Sequence, residues 1–330
     1  MESRIGWEEK QSMKEKQKPF GSHRFYRPLR NLLILLAAVL FLFSAGCGGS
    51  APEPIPVQIS YDSAAVSYLG PEGTYTQEAC GKFFEKQGQY LPYPTVNDAV
   101  EAMISGECNY AVIPQENTIG GAVIDYVDTL IQQDRVSVVG EVELLINQNL
   151  LVLPGTPLND IKTVYSHIQG IRQGKDWLDE NLPGAELIEV SSTAEGARMV
   201  SEGSDPSCAA IASAACADVY GLELLAEGIQ NNNSNKTRFY VLSLDEPATA
   251  PADRLVFIAM GSAEDLPGLM SDMKKQKMTL VTIHDRPLKT ELGQYYYLIE
   301  CSDCSYSSYA RLVGKSSFAF RYLGSFMVRE

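Results

Sequence analysis

Between residues 64 and 247, short apolar runs alternate with amphipathic stretches, and no other feature of the sequence restricts the possible folds as strongly. AVSYLG (65–70) and NYAVIP (109–114) have the length and composition of buried strands. The segments YTQEACGKFFEKQ and VIDYVDTLIQQ, which follow them, carry apolar residues at helical spacing. Strands that alternate with helices form βαβ units around a mostly parallel sheet. The sequence therefore predicts an α/β fold.

The alternation continues towards residue 213. EVELLINQNLLVLP (141–154) predicts a pair of strands or one long strand. TVYSH (163–167), ELIEVS (186–191) and CAAIAS (208–213) predict further strands, each of which leads into a helix. This region therefore extends the α/β pattern over about 150 residues.

Two predicted helices begin in the same way, one in each half of this region. Thr95 and Ser192 each place a hydroxyl three residues before an acid, Asp98 or Glu195. This arrangement is typical of a capping box, and each cap contributes about 1 kcal/mol. The repetition predicts two similar lobes, and a cleft between two α/β lobes is a natural small-molecule site.

Residues 253–327 follow a different pattern. Strands are predicted for four segments, RLVFIAMG, MTLVTIHD, QYYYLIECS and AFRYLG. A loop and a helix are predicted for LPGLMSDMKKQK, and a second helix is predicted for SYARLVGK. The resulting order βαββαβ over about 75 residues predicts a small ferredoxin-like domain.

The N-terminal region has the features of an export signal. Residues 1–30 contain eight basic and four acidic side chains, and residues 31–46 contain none. LLILLAAVLFLFSA (32–45) is shorter than the roughly 18–20 residues of a membrane-spanning helix but suits the apolar part of a signal peptide. The excess of basic residues before it predicts export of the rest of the chain. An uncleaved anchor helix and a buried core helix are the alternatives.

Ser44-Ala45-Gly46-Cys47, followed by GGSAPEPIP, resembles the lipobox of bacterial lipoproteins. The resemblance implies a signal peptide over 1–46, a lipid on Cys47 and a tether over 47–63. The protein would then be an extracytoplasmic lipoprotein attached to the membrane through its N-terminal lipid, and a cytoplasmic protein is the alternative.

Charge and motif content exclude several classes of function. The chain has 41 acidic and 27 basic residues and a net charge of −14, so it lacks the basic surface that nucleic acid binding requires. GPEGTY lacks the lysine of a P-loop and the third glycine of a dinucleotide fingerprint, and HExxH, GxSxG and EF-hand motifs are missing. Apart from Cys47, the cysteines are expected to be buried small hydrophobic residues, so we predict no disulfide framework and no metal site.

Five polar segments each lie at the C-terminal end of a predicted strand. They are GPEGTYT (70–76), PQENT (114–118), YSHIQ (165–169), SST (191–193) and NKTRF (235–239). Strand ends that lead into helices present backbone N–H groups and hydroxyls, which bind carboxylates without a net basic protein. Together the five segments predict a site for a small anion.

These segments, together with LPGLM (266–270), HDRP (284–287) and RYLGSF (321–326) of the C-terminal region, resemble in the same order those of the prephenate dehydratase family, and the resemblance covers roughly residues 64–327. It implies a two-lobed, periplasmic-binding-protein-like catalytic domain over 64–247 and a ferredoxin-like ACT regulatory domain over 253–327. The activity implied is the decarboxylative dehydration of prephenate to phenylpyruvate in L-phenylalanine biosynthesis. No metal or organic cofactor is called for.

The resemblance also implies roles for individual residues. Thr237 would be the proton donor to, or hydrogen-bond partner of, the leaving hydroxyl. The other pocket residues implied are Asn117, Glu116, Ser166 and Gln173 as catalytic residues, and Thr74, Ser192, Thr193, Arg238 and Phe239 as substrate-binding residues. Arg238 could pair with a substrate carboxylate or brace its loop, and Glu116 should be protonated or turned away from a dianion.

The C-terminal region carries the implied regulatory residues. They are Pro267, Gly268, Leu269 and Met270 of LPGLM, and His284, Asp285, Arg286 and Pro287 of HDRP. The resemblance implies L-phenylalanine as an effector and a homodimer. Two other functions remain open on the sequence: a substrate-binding lipoprotein that captures a small anion, and a catalytically weakened sensor of aromatic metabolites.

Overall fold

The structure, a computed structural model, describes residues 53–330. The predicted signal peptide, the lipidation site Cys47 and the first part of the tether lie outside these residues. Between residues 53 and 330, no helix combines the length and the hydropathy that crossing a bilayer requires.

The elements follow one another closely along the chain. The first group is β1 (Ala65–Leu69), α1 (Tyr75–Phe83), β2 (Gln89–Tyr93), α2 (Val96–Ile104), β3 (Tyr110–Asn117), β4 (Gly121–Ala122), α3 (Ile124–Gln132) and β5 (Ser137–Leu145). The second group is β6 (Asn149–Val152), a 3-10 turn (Leu158–Asp160), β7 (Thr163–Ser166), α4 (Ile168–Gln173), α5 (Lys175–Asn181), β8 (Glu186–Glu189), α6 (Thr193–Gly203), β9 (Cys208–Ala212), α7 (Ala215–Tyr220) and β10 (Glu223–Ala226). The third group is β11 (Lys236–Ser243), β12 (Arg254–Ser262), a 3-10 turn (Ala263–Asp265), α8 (Leu266–Lys275), β13 (Thr279–Pro287), β14 (Gln294–Ser302), α9 (Tyr306–Val313), β15 (Ala319–Phe326) and β16 (Val328–Arg329).

The two predicted α/β lobes are confirmed. The first lobe contains a seven-stranded sheet in the order β16, β5, β11, β3, β1, β2, with β4 beside β3. Strands β2, β1 and β3 are parallel, whereas β11 is antiparallel to both of its neighbours, β3 and β5. The sheet is therefore mixed, because β11 comes back from the second lobe to complete the first.

The second lobe has a five-stranded sheet in the order β10, β6, β9, β7, β8. The predicted strand pair at 141–154 does not pair with itself: β5 belongs to the first sheet and β6 to the second. The connection between them hydrogen-bonds to the returning segment, since Gln148 N–H donates to the Gln230 side chain and Ile146 N–H to the Asn235 carbonyl, both at 2.8 Å. Two crossing segments held together in this way form the floor of the cleft.

The N-cap hydrogen bond of each predicted capping box is present, but the reciprocal bond from the acidic side chain is not, because Asp98 accepts from the Thr95 hydroxyl and Glu195 pairs with Arg198. The Thr95 hydroxyl accepts from Asp98 N–H at the start of α2, and the Ser192 hydroxyl accepts from Glu195 N–H at the start of α6, each at 3.0 Å. Each bond satisfies one of the backbone donors that a helix start leaves free.

The C-terminal region has the predicted ferredoxin-like order of elements. Its four-stranded antiparallel sheet has the order β13, β14, β12, β15, with α8 and α9 on one face. The other face packs on the first lobe, where Val256, Ile258 and Leu298 join one core cluster with Val138 and Tyr240. The C-terminal sheet is therefore covered on both faces, and strand β11 lies close to the face that packs on the first lobe.

Candidate active site

A cavity of about 760 Å³ lies between the two α/β lobes. Many of its lining residues belong to the polar segments singled out in the sequence: Gly70, Pro71, Thr74, Tyr75, Thr76, Pro114, Asn117, His167, Gln169, Ser191, Ser192, Thr193, Asn235, Thr237 and Phe239. A second depression of about 770 Å³, lined mainly by charged and polar side chains, lies on the C-terminal domain and contains none of the predicted catalytic residues. The cleft between the lobes is therefore the candidate active site.

Four of the five polar segments lie at the C-terminal end of a strand, as predicted, and the fifth does not. GPEGTYT follows β1 and SST follows β8, while PQENT forms the end of β3 and YSHIQ begins in the last two residues of β7. NKTRF instead begins β11. Because β11 is antiparallel to β3, its first residues still lie beside the carboxyl end of β3.

Thr237 and Asn117 form a directly hydrogen-bonded pair in the cavity. They are opposite one another in the pairing of β11 with β3, and Asn117 Nδ2 donates to Thr237 Oγ1 at 2.9 Å. Asn117 Oδ1 accepts from the backbone N–H groups of Ile119 and Gly120 at 3.0 and 2.8 Å, which fixes the orientation of the amide. Thr237 Oγ1 thus accepts from Asn117, and its proton is left free to donate to a ligand.

A β-bulge brings Asn117 to the cavity face of β3. Phe239 pairs with Pro114 and Arg238 with Glu116, so Gln115 has no partner residue on β11. A bulge changes the face to which the following side chains point. Pro114 and Asn117 can therefore both line the cavity although an odd number of positions separates them.

Helix starts from both lobes open onto the cavity. Thr74 precedes α1, Ser192 precedes α6, and His167 precedes α4, where its Nδ1 accepts from Gln169 N–H at 3.3 Å. Free backbone N–H groups and the helix dipole favour a negative charge at such positions. Gln173 lies deeper, and its side chain accepts from Gln148 Nε2 at 3.0 Å.

The charged groups around the site lie mostly outside the cavity. Within the part of the chain that the structure describes, no lysine or arginine lines the cavity. Apart from tyrosines, the lining residues with ionisable side chains are His167 and Glu195. Glu195 is already paired with Arg198, and the hydrogen bonds from Arg198 lower the pKa of Glu195. Lys236 of the NKTRF segment pairs with Glu143 at 3.0 Å.

Of the two roles expected for Arg238, its position corrects the substrate contact and agrees with the bracing role. Side chains alternate along a strand, so Thr237 and Phe239 face the cavity while Arg238 faces the opposite side of the sheet. There its guanidinium donates to both oxygens of Glu141 at 2.9 and 2.6 Å and also contacts Glu300. Arg238 is fully engaged as a structural cation.

Two predicted catalytic residues also lie outside the cavity lining. Glu116 is turned away from the cavity, one of the two outcomes expected for a carboxylate near a dianion, and lies 3.5 Å from Arg238. Ser166 is buried and donates to the Ile211 carbonyl at 2.7 Å. Neither side chain is placed to touch a ligand in the cavity, because each faces the protein interior or the other side of the sheet.

Burial and a neighbouring charge act together on Glu141 in the cluster behind the cavity. Its side chain is fully buried, and desolvation together with the charge of Glu300 raises the pKa of Glu141 to about 7, although Arg238 acts in the opposite direction. Proton uptake by this carboxyl is therefore linked to the stability of the folded protein.

The predicted effector residues lie on the C-terminal domain, away from the cavity. LPGLM was expected to form a loop before a helix, but α8 begins at Leu266 because Pro267 occupies the first turn, where its missing N–H has no cost. Gly268, Leu269 and Met270 are therefore helical.

HDRP lies at the end of β13 and contacts the first lobe. Arg286 donates to Asp128 of α3 at 2.5 and 2.7 Å. The His284 ring meets the Tyr126 ring edge-on with centroids 5.9 Å apart, and burial lowers the pKa of His284. Asp285 and Pro287 alternate with these residues along the strand.

Sequence reasoning missed several residues around the site. His167, Gln169 and Asn235 stood in the quoted segments but received no role, and Gln115 gives no signal in the sequence that it forms a bulge. Among residues 53–330, Cys80, Cys108, Cys216 and Cys301 are buried, Cys208 and Cys304 are partly buried, and all six are free thiols. No group of His, Cys, Asp and Glu side chains in this range has an arrangement that could hold a metal ion.

Comparison with known proteins identifies relatives of similar sequence. Residues 66–247 match the family model described as prephenate dehydratase. A bifunctional chorismate mutase/prephenate dehydratase from Neisseria gonorrhoeae is 35% identical over 237 residues, which are 71% of this chain and 65% of that protein. A prephenate dehydratase from Lactococcus lactis subsp. cremoris is 32% identical over 242 residues, or 71% of this chain and 85% of that protein.

A solved crystal structure has a fold similar to that of this chain. The crystal structure of a prephenate dehydratase from Arthrobacter aurescens in complex with L-Phe has a TM-score of 0.71 and 29% identity. The similarity covers 79% of this chain and 89% of that one. It therefore extends over both lobes and into the C-terminal region.

Proposed function

The chain belongs to the prephenate dehydratase family, and we propose that it converts prephenate to phenylpyruvate, carbon dioxide and water. The observation that carries this proposal is the Asn117–Thr237 pair, which presents a free hydroxyl proton to a cavity between two lobes.

The reaction depends on orientation of the substrate and on proton donation more than on covalent catalysis. The bond to the ring carboxylate breaks, its electron pair forms a ring double bond, and the C–O bond breaks as hydroxide leaves with a proton to form water. Thr237 donates a hydrogen bond to that leaving oxygen, and Asn117 holds the Thr237 oxygen in place. A threonine hydroxyl is a weak acid, so its contribution is largely positioning, and the proton is replaced from solvent.

Two carboxylates must bind in a protein whose net charge is negative. The helix starts at Thr74 and Ser192, with the hydroxyl of Thr193 and the imidazole of His167, provide donors for them. Because the cavity lacks lysine and arginine among the described residues, these local donors replace an ion pair.

The direct experiment is to incubate the purified full-length chain with prephenate and quantify phenylpyruvate and carbon dioxide. We expect the two products in equal amounts, at a rate proportional to the enzyme concentration. A folded protein that binds prephenate without consuming it would favour a binding protein or sensor instead.

For residues 253–327 we propose an ACT regulatory domain that binds L-phenylalanine in a homodimer. The support is the βαββαβ order of elements and the L-Phe complex of the Arthrobacter aurescens relative. L-Phenylalanine should lower the turnover of prephenate and change the sedimentation of the protein. Met270→Ala should shift this inhibition to higher concentrations, and an effector response identical to wild type would contradict the assignment.

For the N-terminal region we propose export and lipid attachment at Cys47, which would hold the enzyme outside the membrane. The support is the sequence Ser44-Ala45-Gly46-Cys47 after an uncharged run. Cells grown with a radiolabelled fatty acid should label the wild-type protein and leave Cys47→Ala unlabelled. Equal labelling, or a cytoplasmic wild-type protein, would contradict the proposal.

A further inference from the structure

Glu300 belongs to the C-terminal domain, yet its carboxylate reaches into the first lobe. It lies on β14 and is 1% exposed. Oε1 contacts Arg238, and Oε2 accepts from the Tyr240 hydroxyl and from Gln115 Nε2, the latter at 2.9 Å. Arg254 Nε lies 3.2 Å from Oε1.

The first-lobe partners of Glu300 lie on the two strands that carry the reactive pair. Arg238 and Tyr240 are on β11, on the face opposite Thr237, and Gln115 is on β3, two residues before Asn117. One carboxylate thus links β11 to β3 directly behind the Asn117–Thr237 hydrogen bond.

Gln115 is also the bulged residue whose extra position turns Asn117 towards the cavity. It is fully buried, and its Oε1 has no hydrogen-bond partner. The bond to Glu300 is therefore what fixes this side chain. Loss of the carboxylate would leave the buried donors of Gln115 and Tyr240 without hydrogen-bond acceptors, which is energetically unfavourable. Strands β3 and β11 would relieve this cost by shifting.

We propose that Glu300 is a positioning residue for the reaction, acting from the C-terminal domain to hold the bulge at Gln115 and strand β11 so that Asn117 and Thr237 meet in the cavity. The proposal rests on the proposed function for its kinetic consequence, but its structural consequence is independent of activity. The C-terminal domain is then part of the catalytic unit, because a displacement of β14 is transmitted through Glu300 to both strands.

The kinetic test compares Glu300→Gln with Ile299→Val in the full-length chain. Ile299 is the preceding residue on β14 and packs among the C-terminal domain's own core residues. Glu300→Gln should lower kcat at least about tenfold with KM within about twofold of wild type, and Ile299→Val should change neither. Unchanged kcat in a folded Glu300→Gln protein would overturn the proposal.

Gln115→Ala breaks the same link from the first lobe, so it replaces Glu300→Gln as the test if that variant does not fold. Both single variants should lose kcat, and the double variant should lose no more than either one, because they act through one contact. Additive losses, or full activity of Gln115→Ala, would contradict the link.

Hydrogen exchange separates a failure of this proposal from a failure of the proposed function. In Glu300→Gln, backbone amides in peptides 113–120 and 235–240 should exchange faster than in wild type, while Ile299→Val leaves these peptides unchanged. This result would support the link even in a protein that does not consume prephenate. Unchanged exchange together with normal turnover would overturn the link and leave the enzyme assignment intact.

Discussion

Asn117 Nδ2 donates to Thr237 Oγ1 at 2.9 Å across two antiparallel strands whose residues are 120 positions apart in the chain. The amide cannot turn round, because its oxygen accepts two backbone N–H groups. The hydroxyl of Thr237 is consequently held with its proton available to the cavity.

Replacement of Asn117 by Asp keeps the acceptor for Ile119 and Gly120 but removes the donor to Thr237. We expect kcat to fall at least about tenfold, since the hydroxyl loses its orientation and gains a negative neighbour. Asn109→Asp is the matched control, because Asn109 precedes the same strand and accepts from Ala65 N–H far from the cavity. Comparable losses in the two variants would argue against the assigned role.

The two capping residues separate stability from binding. Thr95→Ala and Ser192→Ala each remove one N-cap hydrogen bond, so each should lower the free energy of unfolding by about 1 kcal/mol. Only Ser192 lines the cavity, and only its substitution should raise KM for prephenate. Denaturant unfolding and steady-state kinetics measure the two effects, and a KM increase of similar size in both variants would count against the site.

Glu141 should make stability depend on pH. Because burial raises its pKa from 4.5 to about 7, the folded protein binds a proton that the unfolded chain releases. The free energy of unfolding should therefore decrease as pH rises between about 4.5 and 7, and this contribution should be absent in Glu141→Gln. Urea unfolding across that range tests the sign, and an identical pH slope in both proteins would refute the assignment.

The docking of the C-terminal sheet depends on Gly324. This residue has a φ of +142°, and an added Cβ would lie 2.4 Å from the Val138 carbonyl oxygen of β5. Gly324→Ala should lower the free energy of unfolding by about 2–4 kcal/mol.

Gly314→Ala is the control for this substitution, because Gly314 has helical φ and its nearest neighbour would be 3.6 Å away. Its stability should equal or exceed that of wild type. A Gly324→Ala protein as stable as the Gly314→Ala protein would show that the close approach of the two strands is dispensable.

Local patterns in the sequence predicted much of this architecture. The alternation of strands and helices, the caps at Thr95 and Ser192 and the βαββαβ order depend on neighbouring residues, so they can be read along the chain. Strand β2 was missed because Gln89–Tyr93 is polar at its start and contains a proline, features that argue against a strand.

Features that depend on distant pairing could not be predicted in this way. The side of the sheet that Arg238 faces depends on the exact residue at which β11 begins and on its pairing with β3 and β5, and the NKTRF segment alone specifies neither. The bulge at Gln115 exists only in relation to β11, and Glu300 reaches it from a different domain. Short motifs located the reactive pair but not the groups that hold it.

The most direct measurement is the kcat of Thr237→Ala and Thr237→Ser with prephenate, beside the wild-type full-length protein. The account predicts that the wild type forms phenylpyruvate, that Thr237→Ser keeps most of this activity because it retains the hydroxyl, and that Thr237→Ala loses at least about 100-fold. A folded wild type without product, or a Thr237→Ala protein as active as wild type, would contradict it.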